Sequence, residues 1–241
     1  MNLIIDIGNT RTKIFVFDKD LLFKELSGQP SASSLKKILS RYSIEDSIIS
    51  SVVKGTLGWV SFLKKNTRCI TLSYKTILPI KNHYKTKETL GNDRIANAAG
   101  AAKIFPSRNN LVIDIGTCIK YDFINDKNEY IGGAISPGMQ MRYMSLHDYT
   151  SKLPLVKPSV KVKILGTDTQ SSIVSGVQQG MLNEMEGYIR HYENEYKGLN
   201  VILTGGDADC FAHLFNFPIF AAPKLTAIGL NEILLYNNRK K

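Results

Sequence analysis

Two stretches of this chain repeat one chemistry-bearing pattern 108 residues apart, Leu3-Ile4-Ile5-Asp6-Ile7-Gly8-Asn9-Thr10 and Leu111-Val112-Ile113-Asp114-Ile115-Gly116-Thr117. In each, an apolar β-branched run ends in a carboxylate, a glycine and a threonine, so bare backbone N–H groups and a hydroxyl face outward beside an anion. That combination suits phosphate held together with a cation. Glycine lets the backbone approach phosphate oxygens, and a carboxylate at a strand end can order Mg²⁺ or its waters. In the first copy Thr10 and Thr12 add hydroxyls and Lys13 adds charge. One such turn says little, because Asp and Gly are ordinary turn residues; its recurrence in matched context carries the weight. A third loop, Leu203-Thr204-Gly205-Gly206-Asp207-Ala208, follows a buried-looking strand and precedes a predicted helix, where an adenine or ribose can lie against bare backbone.

These loops need strands to hold them. Each copy continues into a second apolar run (14–17 or 119–124), a polar turn and a third candidate strand (21–23 or 129–131). The first meander is followed by a predicted helix at 34–42, a strand at 48–53, a helix at 57–65, a strand at 69–72 and an Ala-rich helix at 93–104. After the second come helices at 139–148 and 170–196, a strand at 200–204 and a helix at 226–237. Such alternation predicts an α/β protein. The polar segment Phe105-Pro106-Ser107-Arg108-Asn109-Asn110 reads as a linker, giving expected domains at 1–106 and 107–241.

With 241 residues and 43% hydrophobic content, the chain can bury a core and is neither disordered nor fibrous. The longest apolar stretch without a charge near the C-terminus, Cys210 to Pro223, is 14 residues long, short of the roughly 20 a membrane helix needs. Asp6 arrives too early for a signal peptide, so a cytoplasmic location is expected. Cys69, Cys118 and Cys210 are too widely spaced for a zinc site and are expected to be buried thiols. The net charge of +10 favours anionic partners, but the basic residues are scattered without aromatic interleaving, so a nucleic-acid groove is not expected.

The order strand-Asp-Gly-Thr, strand-Asp-Gly-Thr, strand-Gly-Gly resembles the acetate and sugar kinase, Hsc70 and actin superfamily. That resemblance implies two duplicated actin-like (ribonuclease H-like) α/β domains with mixed sheets and ATP in the cleft between them. Gly91-Asn92-Asp93-Arg94, Gly132-Gly133-Ala134-Ile135-Ser136-Pro137-Gly138, Leu153-Pro154 and Gly166-x-x-Thr169 with Ser175-Gly176 and Gly180 resemble, in order and spacing, the type III pantothenate kinase family, from Met1 to about Leu230. The resemblance implies phosphorylation of the primary hydroxyl of pantothenate by ATP, the first step towards coenzyme A. Asp93 is then the general base, and Gly91, Asn92 and Arg94 hold the substrate or the moving phosphoryl group. Read alone, the same four residues are a helix start with an acid near the positive end of the helix dipole. The family further implies that Asp6, Ile7, Gly8, Asn9, Thr10, Arg11, Thr12 and Lys13 hold the triphosphate with Mg²⁺. It gives Thr117 to ATP, Tyr84 and Thr169 to pantothenate, and Asp114 to a monovalent cation, K⁺ or NH₄⁺. A homodimer, with 132–138 closing the pocket partly across its interface, is also implied. Two rival readings are another small-molecule kinase of the superfamily and a catalytically idle transcriptional accessory factor of the same family.

Two departures stand out. Lys85-Thr86-Lys87 follows Tyr84 where the family commonly has a proline-bearing segment. Lys120 takes the place of a Thr in Cys118-Ile119-Lys120-Tyr121-Asp122. An ammonium within about 4–6 Å of Asp114 would favour its charged form and compete with the ion, whereas strand alternation would turn Lys120 away.

Overall fold

The two apolar runs become the central strands of two sheets. The computed structural model describes residues 1–8, 11–26, 28–51 and 58–240. In chain order the elements are β1 (Asn2–Ile7), β2 (Thr12–Asp18), β3 (Leu21–Leu26), α1 (Ala32–Arg41), β4 (Asp46–Ser51), α2 (Gly58–Asn66), β5 (Arg68–Thr71), β6 (Lys81–Asn82) and α3 (Asn92–Ile104). They continue as β7 (Asn110–Ile115), β8 (Cys118–Ile124), β9 (Glu129–Pro137), α4 (Met139–Asp148), α5 (Thr169–Val174), α6 (Gly180–Glu195), β10 (Asn200–Thr204), β11 (Phe220–Ala221) and α7 (Leu225–Arg239). The last two residues of the strand expected at 48–53 lie outside the described residues. The chain divides into two compact units, Met1–Pro106 with Asn128–Tyr130 and Lys224–Lys241, and Ser107–Lys127 with Ile131–Pro223.

In the first unit the sheet order is β3-β2-β1-β4-β5, with β1 antiparallel to β2 and parallel to β4. Leu3, Ile5 and Ile7 pack with Ile14, Val16 and Ile49 against Leu35 of α1 and Leu63 of α2. Strand alternation sends Asn2 and Ile4 to the other face, where Asn2 Nδ2 donates to Asn231 Oδ1 of α7 at 2.8 Å. Cover on both faces is why β1 reads as an unbroken apolar run rather than an alternating one. The Ala-rich composition of α3 also has a packing reason. A Cβ at Gly229 would stand 1.7 Å from Ala96 O, and one at Gly100 2.6 Å from Leu225 O, so α3 and α7 meet backbone to backbone and only small residues fit the crossing. β6 pairs in parallel with Glu129–Tyr130, the part of β9 that belongs to this unit.

In the second unit the strands run β11-β10-β7-β8-β9, with β7 antiparallel to β8 and parallel to β10. The surroundings of β1 are thus reproduced around β7, and the sequence echo is a structural one. Leu111, Ile113 and Ile115 pack with Tyr121 against Tyr143 of α4 and Met181, Met185 and Ile189 of α6. The helix expected at 170–196 is interrupted by a π-helical turn, Ser175–Gln179, joining α5 to α6. There the buried Gln178 side chain accepts from Tyr143 OH (2.9 Å) and Ser159 N (2.8 Å) and donates to Ser159 O (2.9 Å). π-turns of this kind recur at functional sites.

Two expectations are corrected. The helix after Gly205-Gly206 is one 3₁₀ turn, Ala208–Cys210. Cys210, in that surface connection, is exposed, and Cys69 and Cys118 are half-buried, so the cysteines are not a set of buried thiols. No helix among the described residues is long and apolar enough to cross a membrane.

Candidate active site

The second Asp-x-Gly turn is enclosed by glycine backbone. Asp114, next to last in β7, is buried, and Gly116 N donates to Cys118 O at 3.1 Å to close the turn into β8. On one side Gly138, at the N-terminus of α4, donates its N–H to Thr117 O at 3.1 Å. A Cβ there would lie 2.1 Å from Gly116 O, so glycine is required by space. On the other side Gly205 adopts φ +102°, and its Cβ would lie 2.2 Å from Ile115 O and 2.6 Å from Asp114 Oδ1. Both space and backbone sign exclude a side chain there. Asp207 N adds a bond to Ile115 O at 3.0 Å, and burial pushes the Asp207 carboxyl upward. Thr117 stays exposed at the tip.

Lys120 is the register partner of Asp114 across the β7–β8 pair. Directly opposed residues share a face, so alternation turns Lys120 towards the carboxylate, and Nζ lies 2.7 Å from Asp114 Oδ2. Both side chains are largely withdrawn from water, 17% and 12% exposed. A monovalent cation on Asp114 does not fit this arrangement, because an ammonium already stands against the carboxylate.

A segment that sequence reasoning missed supports this loop. Arg142 Nη2 lies 2.5 Å from Glu184 Oε2 and 2.8 Å from Ser136 Oγ, its Nε donates to Pro137 O at 2.8 Å, and Tyr121 OH donates to Glu184 Oε1 at 2.7 Å. Burial pushes the Glu184 carboxyl up, but the Arg142 and Tyr121 bonds more than offset it and hold the group below the usual range. Burial, together with Glu184, drives the Tyr121 hydroxyl far above its ordinary value. Arg142 and Glu184 are 42 positions apart and belong to no motif, so no sequence signal pairs them.

In the first unit, Asp6 is next to last in β1 with Lys13 as its register partner, and Gly8 N donates to Arg11 O at 3.1 Å. Asn9 and Thr10 lie outside the described residues. Thr12 Oγ1 donates to Gln29 Oε1 at 3.2 Å, and Lys13 and Arg11 are exposed. The start of α3 is fixed to the same sheet end, since Asn92 Nδ2 donates to Ser51 O and Leu72 O, each at 3.2 Å, and Ser51 is the partner of Ile7. Gly91 caps the helix, and a Cβ there would meet Asp93 Oδ1 at 2.5 Å; that oxygen accepts from Arg94 N at 2.9 Å. The buried Arg94 guanidinium stands 5.6 Å from the Tyr84 ring centroid, a cation–π contact. Tyr84 is held by its N–H on Asn82 Oδ1 at 2.9 Å. Tyr84, Gly91, Asn92, Asp93 and Arg94 are therefore brought together.

Thr169 begins α5 in the second unit, after an N-cap Asp168 that accepts from Ser171 N at 2.9 Å, a bond that holds its carboxyl below the ordinary range. Thr169 lines a cavity of about 620 Å³ with Leu146, Leu153, Gly166, Ile173 and Gly176. That size suits a small organic molecule. Among the described residues no three His, Cys, Asp or Glu side chains gather as a metal-ligand set. A divalent ion carried in on phosphates needs only one or two carboxylates, and the half-buried Asp6 fits that requirement.

A family model described as type III pantothenate kinase matches residues 2–191. The chain is 42% identical to the type III pantothenate kinase of Cytophaga hutchinsonii over 98% of this chain and 100% of that one. It is 43% identical to the enzyme so named from Phocaeicola vulgatus, over 99% and 100%. Among solved structures, a Campylobacter jejuni protein assigned to the Baf family of transcriptional activators superposes with TM-score 0.63 at 20% identity, covering 98% of this chain and 99% of that one. A ROK family protein from Streptococcus pneumoniae superposes with TM-score 0.53 at 12% identity, over 99% and 100%. At such identities the structural likenesses establish the fold alone, an actin-like mixed α/β fold.

Proposed function

The chain belongs to the type III pantothenate kinase family, and on that premise we propose how its residues move a phosphoryl group from ATP to the primary hydroxyl of pantothenate. Phosphoryl transfer is mainly alignment and charge stabilisation. The turn after β1 supplies both: Asp6 orders Mg²⁺, and Ile7, Gly8, Asn9, Thr10, Arg11, Thr12 and Lys13 hold the triphosphate. Thr117 and the bare backbone at Gly205-Gly206 take the nucleotide. Pantothenate contacts Tyr84 and, in the cavity at the start of α5, Thr169. Asp93 receives the hydroxyl proton. Its Oδ1 is oriented by the Arg94 N–H, and Gly91 leaves it room. Arg94, stacked on Tyr84, presents a fixed positive charge to substrate or phosphoryl oxygens.

The observation that carries this reading is the matched pair of strand-Asp-x-Gly turns, each at the end of a sheet's central strand, with Asp93 on the helix start pinned beside the first. The test is ADP release coupled to pantothenate with ATP and Mg²⁺. Asp93→Asn should fold normally and lose about 10²- to 10⁴-fold in rate, the usual contribution of a general base. Wild-type turnover by that variant removes Asp93 from the role, and absence of turnover on pantothenate by the folded wild type removes the substrate.

The same reading includes a cytoplasmic homodimer. Ile135, in the 132–138 segment that the family resemblance puts partly at the interface, is an exposed apolar residue, and Met141 and Met144 on the α4 that follows are exposed too. Light scattering should give about twice 26.9 kDa; a monomer at micromolar concentration overturns the dimer.

A further inference from the structure

The Asp114–Lys120 pair carries a consequence for the ion requirement. We propose that Lys120 is a built-in monovalent cation. Its ammonium occupies the place on Asp114 that the family resemblance gives to K⁺ or NH₄⁺, and this kinase turns over without either ion. The inference rests on the kinase reading.

Three observations converge on it. First, backbone register fixes the contact, because Asp114 and Lys120 are directly opposed on an antiparallel pair whose other register members are all buried, most of them apolar. A slip of one residue would invert both side chains, so the pairing is no chance surface encounter. Second, Nζ lies 2.7 Å from Asp114 Oδ2 with both side chains mostly out of water, where a charge pair is screened far less than at the surface. Third, the other oxygen, Oδ1, lies beneath Gly205, where an added Cβ would come within 2.6 Å of it. The carboxylate is clasped between an ammonium and glycine backbone, at the turn that Thr117 tops.

Chemically, a lysine head is an ammonium ion on a stem, with one positive charge and three N–H donors. Tethering makes its local concentration independent of the medium. A second cation on the same carboxylate would stand against a like charge in a site of low dielectric, which disfavours it. Lys120 is a positioning residue: it fixes Asp114 and the charge of the loop, and touches no reacting atom.

The test compares wild type with Lys120→Thr and Lys120→Met in choline, Na⁺, K⁺ and NH₄⁺ chlorides, with Mg²⁺-ATP and pantothenate. Wild-type rates should agree within about twofold in all four media. Lys120→Thr should lose about tenfold or more in kcat/KM for ATP in choline, a change of at least one decade in transition-state stabilisation. K⁺ or NH₄⁺ should restore it, which a purely structural loss would not allow. Melting temperatures establish that each variant is folded. A wild type that needs K⁺ or NH₄⁺ overturns the proposal and leaves the kinase intact, as does a folded Lys120→Thr whose deficit neither ion relieves. Anomalous scattering from Tl⁺-soaked crystals decides independently of turnover. A Tl⁺ peak on Asp114 in Lys120→Thr but not in wild type supports the proposal, and a peak in wild type overturns it. Failure to phosphorylate pantothenate in any salt sinks the kinase reading instead, while the Tl⁺ experiment still decides this one.

Discussion

The two Asp-x-Gly turns begin from one sequence pattern and one strand register, yet they end as different devices. After β1, four residues separate the partners Ile7 and Thr12; after β7, three separate Ile115 and Ile119. Asp6 faces an exposed Lys13, and Asp114 a half-buried Lys120 bonded to it. Among the described residues a Cβ on Gly8 would meet Arg11 O at 3.2 Å, whereas the second turn is pressed by Gly138 and Gly205 at distances no side chain tolerates. Duplication thus supplies the scaffold, and the segments packed around the second copy clamp its loop. A clamped loop offers a preset surface whose charge is already balanced.

The largest effect that bears on this contrast is in rate. Asp6→Asn should lower kcat/KM for ATP by about 10²- to 10³-fold, the range for removing one preorganised electrostatic contact in a transition state, while leaving the melting temperature almost unchanged. Asp114→Asn should do the reverse in emphasis: by removing the charged acceptor beside the half-buried Lys120 ammonium it should cost about 1–3 kcal/mol of stability, the range for bonds to charged groups. Denaturant melts beside steady-state kinetics check both. Equal destabilisation by the two substitutions would break the distinction between the two turns.

Next in size is the backbone clamp. Gly138→Ala places a methyl 2.1 Å from Gly116 O, and Gly205→Ala adds a φ of +102° to a similar clash. Each should cost about 2–3 kcal/mol, as overpacking and forced positive φ do. Gly8→Ala, whose methyl meets Arg11 O at 3.2 Å among the described residues, should cost less than about 1 kcal/mol. Thermal melts of the three variants rank them, and a Gly8→Ala as damaging as Gly138→Ala would mean that the first loop is clamped too.

Much of this was legible in the sequence, and the exceptions share a cause. Local pattern reaches strands and helices, because periodicity and turn residues are written within a few positions of each other. Thus the meanders, α3, α4, β10 and α7 all stand where the pattern puts them. The echo also announces the second sheet's resemblance to the first. What pattern cannot reach is a partner distant in sequence. The small residues of α3 read as helix propensity, but their necessity comes from Gly229, more than 100 positions on. The π-turn at Ser175–Gln179 was invisible because the helical stripe runs through it, and the extra residue shows only in the bonds of Gln178 to Ser159 and Tyr143. Lys120 was flagged by residue type alone. Its direction needed the register, which depends on whether the turn between the strands holds two, three or four residues. Where pattern placed a helix after Gly205-Gly206, a single 3₁₀ turn follows, and Gly205 serves the packing against Asp114 and Ile115.

The smallest predicted effect concerns the support behind the clamp and appears only as a dependence on pH. Arg142 and Tyr121 hold the Glu184 carboxyl below its usual range despite burial, so the folded state binds fewer protons there than the unfolded chain does. That stabilisation is complete at pH values above the unfolded glutamate pKa of about 4.3 and is lost as pH falls through the depressed folded value. Glu184→Gln should therefore cost about 1–3 kcal/mol at pH 7, as loss of a charge-assisted bond does. It should also flatten the decline in stability on acidification, since the variant has no carboxylate left to protonate. Urea melts between pH 7 and pH 3 resolve both. Because Arg142 also holds Ser136 and Pro137, next to the Gly138 that touches Thr117, the neutral-pH variant should show a raised KM for ATP with an almost unchanged kcat. An unaltered KM would separate this network from the nucleotide loop and leave the clamp resting on the glycines alone.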